Sequence, residues 1–387
     1  MGEDARAQQA SPEVTASGAG VASGDPRGTS AAGCGHNGRV TTTISSPVQR
    51  FDRALAGLSP GYFALVMATG IVAIGLDTVG VGWAATILLV IALVAYVVLA
   101  LLYALRWFRH RERVKADQRD PERTFGYFTI VAGTGVLSVG LLETRFAPVS
   151  VGLVVVAAAV WLVLGYVLPW QVLMARDGEP ILARTNGTWF IWSVGSQSVA
   201  VALAAVLPLV PQYSHLIGIL TVMSWSVGTL LYAGIAVLVT LRFVHHGVTP
   251  EQFDAPYWVA MGALAISVVA GAGIADMPST PMIDASRSLV SATVVIFWCF
   301  AAWLIPMFAG AGIWRHVIHR VPLRYTPALW SMVFPLGMFA VASIRLGRVD
   351  HIPALEAVGT GFLGVAVCAW LAVAVGFVVS GVRRVRG

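Results

Sequence analysis

The feature that most constrains this chain is a succession of ten apolar stretches, near residues 59–78, 82–107, 125–142, 148–175, 188–208, 214–242, 256–275, 288–313, 326–346 and 353–381. A helix needs roughly 20 apolar residues to cross the hydrocarbon core of a bilayer. Inside lipid only helices or closed barrels satisfy the backbone's own hydrogen bonds. Residues 49–387 are therefore expected to form one all-α integral membrane domain of ten transmembrane helices. Composition agrees, with 57% hydrophobic and only 11% charged residues, where a soluble domain carries about 25% charged. Residues 1–48 are rich in Gly, Ala, Ser, Thr and Asp and lack the apolar core of a signal peptide, so they read as a disordered tail.

An even number of spans puts both termini on one side. All but four of the 25 Lys and Arg residues, the exceptions being Arg145, Arg287, Arg345 and Arg348, then fall on that same side. Basic residues concentrate in cytoplasmic loops, which predicts a multi-pass plasma-membrane protein with both termini in the cytoplasm. The same topology accounts for the net charge of +6 without nucleic acid. Three cysteines, Cys34, Cys299 and Cys368, make neither a disulfide framework nor a zinc site.

The odd-numbered runs open alike: Gly61-Tyr62-Phe63, Gly126-Tyr127-Phe128, Thr188-Trp189-Phe190, Pro256-Tyr257-Trp258 and Ala328-Leu329-Trp330. Taking the third residue of each triplet as position 0, the steps between them are 65, 62, 68 and 72 residues, one helical hairpin each. Small residues follow each opener, as in Ala68-Thr69-Gly70 and Gly133-Thr134-Gly135, whereas the even runs are dense in Val, Leu, Ile and Ala. Five like hairpins are expected to close into a pseudo-five-fold ring, small-residue helices inward around a central pore. Close helix packing is the competing use of each glycine.

Position +4 is occupied by Met67, Ala132, Val194, Gly262 and Phe334, the last followed by Pro335. Two readings of Phe334 fit that spacing: a hydrophobic stopper in a conduit, and a core ring packed between helices. Candidates for the lining are Met67, Gly70, Ala132, Gly135, Val194, Gly262 and Gly337.

Ser59-Pro60-Gly61-Tyr62-Phe63 with Val66-Met67-Ala68-Thr69-Gly70-Ile71-Val72, and Trp330-Ser331-Met332-Val333-Phe334-Pro335-Leu336, resemble the first and ninth helices of the tellurite-resistance/dicarboxylate transporter family. Its superfamily includes plant slow anion channels, malic acid transport proteins and sulfite efflux pumps. The resemblance spans roughly residues 55–381. It implies a pore of inner helices in each subunit, a homotrimer, and the phenylalanine before the proline as gate, here Phe334 with Pro335. Plain residues such as Ala132 and Val194 at the matching ring positions leave the substrate open among C4-dicarboxylate, sulfite, halide or nitrate, and tellurite-type oxyanions.

Ionisable residues inside spans are costly and usually functional, and this chain has almost none. No carboxylate–histidine relay, enzyme motif, metal cluster or cofactor motif is visible, so the expected partners are small anions and the bilayer. Arg145, Arg345 and Arg348 are candidates for attracting anions to the outer mouth. Interfacial arginines offset by Asp350 or Glu143 are the competing reading. The 106–123 segment, with charges of both signs, reads as a solvated loop. A passive anion conduit is the leading expectation; the alternative is a proton-coupled secondary transporter exporting sulfite or malate.

Overall fold

The structure is a computed structural model and describes residues 47–174 and 180–386. Most of the tail expected over 1–48, with Cys34, lies outside the described residues, as does Arg176. A short amphipathic helix, α1 (Pro47–Ala56), comes first. Five hairpins follow. Their first members are α2 (Ala64–Thr78), α5 (Phe128–Gly140), α7 (Phe190–Val206), α9 (Val259–Ala275) and α11 (Trp330–Val349). Their second members are α3 (Gly82–Arg109), α6 (Ala147–Met174), α8 (Ser214–His246), α10 (Pro281–Ile313) and α12 (Pro353–Arg386), with α4 (Arg111–Arg119) lying between α3 and α5. No strand occurs among the described residues.

The two sets differ in length and burial. First members run 13 to 20 residues and second members 28 to 34. Between 67% and 89% of the apolar window is buried in the four long enough first members, against 17% to 28% in the second members. The first members are thus the inner layer, and the Val- and Leu-rich second members face outward. Nine helices among the described residues are long and apolar enough to cross a membrane; Thr124–Gly140, at 17 residues with its leading turn, is shorter. Ten of its 13 helical residues are buried, so neighbouring protein covers what lipid would otherwise touch.

The first two residues of each aligned triplet fall in a short 3₁₀ turn that leads into the inner helix, Pro60–Phe63, Thr124–Tyr127, Gly187–Trp189, Ala255–Trp258 and Pro327–Leu329, and the third residue ends that turn or begins the helix. The inner helices pack in cyclic order, α2 on α5, α5 on α7, α7 on α9, α9 on α11 and α11 back on α2. The 3₁₀ turns meet in the same closed order. Glycine permits the approach at position +7. A Cβ added to Gly70 would lie 2.5 Å from Val136 Cγ1, one on Gly135 3.3 Å from Ser198 Cβ, and one on Gly337 2.9 Å from Ile71 Cγ2. In each case the residue met is position +8 of the next inner helix. Gly70 and Gly337, expected among the lining candidates, therefore sit at helix–helix contacts.

Outer helices tie the ring together. Tyr96 Oη lies 3.0 Å from Thr134 Oγ1. The indole N–H of Trp161 donates to Ser196 (2.8 Å), that of Trp225 to the Ser267 carbonyl (3.1 Å), that of Trp298 to Ser343 (2.8 Å) and that of Trp370 to Thr69 (3.0 Å). Every bond runs from the outer helix of one hairpin to the inner helix of the next, the last closing the fifth onto the first. Such bonds average about 0.6 kcal/mol in membrane proteins, so they fix register while packing supplies most of the cohesion.

The 106–123 segment departs from the loop expected there. Arg106 and Asp117 are buried and paired at 2.6 Å, and Arg123 reaches the same carboxylate at 2.8 Å. Arg106 also donates to the Ala56 carbonyl. One carboxylate thus holds α3, α4 and the turn before α5 together.

Gly187 tests the closure of the 3₁₀ ring. A Cβ there would stand 2.4 Å from the Tyr257 amide nitrogen and 2.5 Å from the Pro256 carbonyl carbon, both backbone atoms, whereas one on Gly152 meets nothing within 4 Å. Gly187→Ala should lower stability by about 1–3 kcal/mol, the usual cost of overpacking. Gly152→Ala should not lower it, with thermal unfolding in detergent micelles as the readout.

Candidate functional site

Two cavities lie on the axis of the inner ring, and their linings follow the repeat. Position −2 of every hairpin, namely Gly61, Gly126, Thr188, Pro256 and Ala328, lines the first, a space of about 90 Å³ at the end where α1 and α4 lie. Positions +8 (Ile71, Val136, Ser198, Ile266, Met338) and +11 (Ile74, Val139, Val201, Val269, Val341) all line the second, of about 250 Å³. Gly135 joins that second lining; Gly70 and Gly337 line neither cavity.

Between them falls position +4. Met67, Ala132, Val194 and Phe334 are wholly buried, Gly262 is buried as well, and none of the five lines either cavity. On α11 the succession is clear: Ser331 lines the first cavity, Met338 the second, and Phe334 stands one turn from each. Helix α11 continues through Pro335 without a break. A Cβ on Gly262 would lie 2.8 Å from Pro335 Cγ. The glycine of one inner helix therefore makes room for the proline ring of the next.

The second cavity is apolar apart from Thr78, Ser198 and two arginines, Arg345 and Arg348, and no carboxylate lines it. Arg345 pairs with Asp276 at 3.2 Å, and Arg348 with Glu356 at 2.8 Å and with the Thr78 carbonyl at 3.1 Å. Asp350 and Glu143, the offsets considered from sequence, are not these partners. All four charged side chains are at least 39% exposed, so the pairs contribute little to stability. Asp276 lines an adjoining cavity of about 710 Å³ that shares Val201, Ala205, Val269 and Arg345 with the second, which places Arg345 at the junction of those two. Arg145 lines none of these spaces; it is exposed and stacks on Phe146 at 4.8 Å.

Glu122 and Arg123 flank the cavity at the other end. Arg184 bridges Asp120 at 2.6 Å and Glu122 at 3.8 Å. Burial pushes the Asp254 carboxyl up to about 6, opposed by the nearby Arg315 guanidinium, which donates to the carbonyls of Phe253 and Glu251. No group of three or more His, Cys, Asp or Glu that could hold a metal occurs among the described residues.

Sequence reasoning missed the five outer-helix aromatics. Tyr96, Trp161, Trp225, Trp298 and Trp370 recur at steps of 65, 64, 73 and 72 residues, close to those of the openers. That periodicity was available as a signal.

The fold and axis define an all-helical membrane protein whose inner helices enclose stacked cavities. A family model described as "SLAC1: Voltage-dependent anion channel" matches residues 57–378, and the chain belongs to that family of membrane anion channels and transporters. An uncharacterized membrane protein of Mycobacterium tuberculosis is 47% identical over 140 residues, covering 36% of this chain and 71% of that protein. An uncharacterized transporter of Methanocaldococcus jannaschii is 22% identical over 78% of this chain and 87% of its own length. A sulfite efflux pump of Arthroderma benhamiae is 23% identical over 83% and 90%.

Cysteine accessibility tests the division of the axis. In a chain with Cys34, Cys299 and Cys368 replaced by Ser, Val341→Cys should react with a membrane-impermeant thiol reagent from the Arg345 side only. Ala328→Cys should react from the opposite side only. Labelling of either from both sides would show that the +4 tier does not separate the two spaces.

Proposed function

We propose that this protein conducts small anions passively along the axis of its inner ring, with Phe334, backed by Pro335, as the removable stopper. The observation that carries the reading is the placement of the +4 tier. Five equivalent residues separate two cavities, each lined from all five hairpins, and Phe334 is the largest of the five. All ten helices of the five hairpins then cross the bilayer, the arginine-rich end lies in the cytoplasm of a plasma membrane, and subunits assemble as homotrimers.

Charge selectivity would come from Arg345 and Arg348. Apolar walls screen poorly, so two guanidinium groups on such a lining raise the local anion concentration. Exclusion of larger solutes falls to the +4 tier, where a hydrophobic constriction opposes hydrated ions. Similarity to the fungal pump puts sulfite first among the candidate anions, ahead of chloride, nitrate, C4-dicarboxylates and tellurite-type oxyanions.

The pump's name also favours a second reading, proton-coupled export. Against it, no carboxylate or histidine is among the residues lining the second cavity. A pH jump across vesicles separates the two: passive conduction moves anions without obligatory proton flux.

Phe334→Ala should raise sulfite or chloride flux into proteoliposomes several-fold over wild type at equal incorporation. Flux that stays at the wild-type level would remove Phe334 from the gate. Replacing Arg345 and Arg348 together by Gln should slow uptake more at 0.1 M ionic strength than at 1 M, because the Debye length falls from about 10 Å to about 3 Å. An equal loss at both strengths would assign the arginines to structure instead.

A further inference from the structure

Outside the axis lies a groove of about 1050 Å³ between α3 and α12, floored by α2 and the start of α11. Its walls are apolar: Val90, Val94 and Val98 on α3 face Ala374, Phe377 and Val378 on α12. Along α3 it runs from Val90 to Leu102, about 18 Å at a rise of about 1.5 Å per residue. One hydrocarbon leaflet is about 15 Å deep, half of a core of about 30 Å. On α12 the lining begins at Trp370, midway along the helix, and on α3 at Val90, the ninth of its 28 residues, and the groove opens at the arginine-rich end. At mid-depth, the Trp370–Thr69 hydrogen bond joins the α12 wall to the α2 floor.

The one charged residue in the lining is Arg53, on α1, at the arginine-rich end. It is exposed and donates to the Gln49 carbonyl of its own helix. The neighbouring carboxylate, Asp52, is engaged with His110 at 3.1 Å. Helix α1 carries Phe51 and Leu55 beside Arg50 and Arg53, the composition of a helix lying in a membrane interface.

We propose that this groove is a binding site for one anionic phospholipid of the leaflet on the arginine-rich side, its phosphate on Arg53 and its acyl chains against Val94, Val98 and Ala374. The depth matches a single leaflet, and the only charge stands where a headgroup would be. The lining ends at Val90 and Trp370, short of the far ends of both helices. Residues 1–46 contain no apolar run to fill it. The site does not depend on the transport reading.

The test is native mass spectrometry of the full chain in mild detergent, with phosphatidylglycerol and phosphatidylcholine of identical acyl chains. Wild type should retain one phosphatidylglycerol per chain in preference to phosphatidylcholine. Arg53→Gln should weaken phosphatidylglycerol retention about fivefold, the share of one arginine near a headgroup, and phosphatidylcholine less, because its choline cation already offsets the phosphate charge. Ala95→Trp and Ala374→Trp, which fill the groove from opposite walls, should each abolish retention at an unaltered unfolding midpoint. Equal retention by wild type and both tryptophan variants would overturn the proposal, as would no preference between the two lipids. Tryptophan variants that change the oligomeric mass while keeping the lipid would assign the groove to a second copy instead. If both tryptophan variants misfold, Arg53→Gln decides alone: unchanged phosphatidylglycerol retention overturns the site.

Discussion

Every inner helix of this protein must touch two inner neighbours at once, and the rest of the structure follows from meeting that requirement five times around a closed ring. Lipid offers no hydrophobic drive for helices to associate, so the ring depends on close shape fit. At position +7, Gly70, Gly135 and Gly337 each receive the +8 residue of the next helix. At the 3₁₀ turns, Gly126 approaches the Gly61 backbone and Gly187 the Tyr257 backbone. The outer helices then lock the order by bonding one hairpin ahead, from Tyr96–Thr134 around to Trp370–Thr69. The last inner helix meets the first, so no edge of the inner layer is left open.

Closure also sets the shape of the axis. Inner helices of 13 to 20 residues surrounded by outer helices of 28 to 34 leave space at both ends. Equivalent positions of all five hairpins line each cavity, so the proposed constriction is a tier rather than a tube. Four of its members are small or flexible, and the fifth is a phenyl ring. An unhydrated anion in an apolar constriction is costly. Arg345 lies about three turns and Arg348 about four turns beyond Phe334 along α11, with their carboxylate partners outside the cavity lining.

Much of this was legible in the residues alone. Aligning the five aromatic openers put each hairpin in its true register, because one helical period and one interfacial turn recur in every repeat. The same alignment placed Met67, Ala132, Val194, Gly262 and Phe334 at one level. It does not separate +7 from +8, about 100° apart on a helix, so Gly70 and Gly337 fall among the lining candidates although they face a neighbouring helix. The ion pairs were also out of reach. The Arg345–Asp276 pair between two hairpins and the Arg348–Glu356 pair within one depend on which helix ends meet in space, and the buried Arg106–Asp117 pair lies in a segment whose mixed charges mimic a solvated loop.

The central claim is that anions occupy the axis beside the +4 tier, and anomalous scattering from crystals grown in bromide measures this directly. A bromide peak is expected inside the inner ring, within reach of Arg345 and short of Phe334. An axis without bromide, with peaks confined to the outer surfaces of the helices, would contradict it.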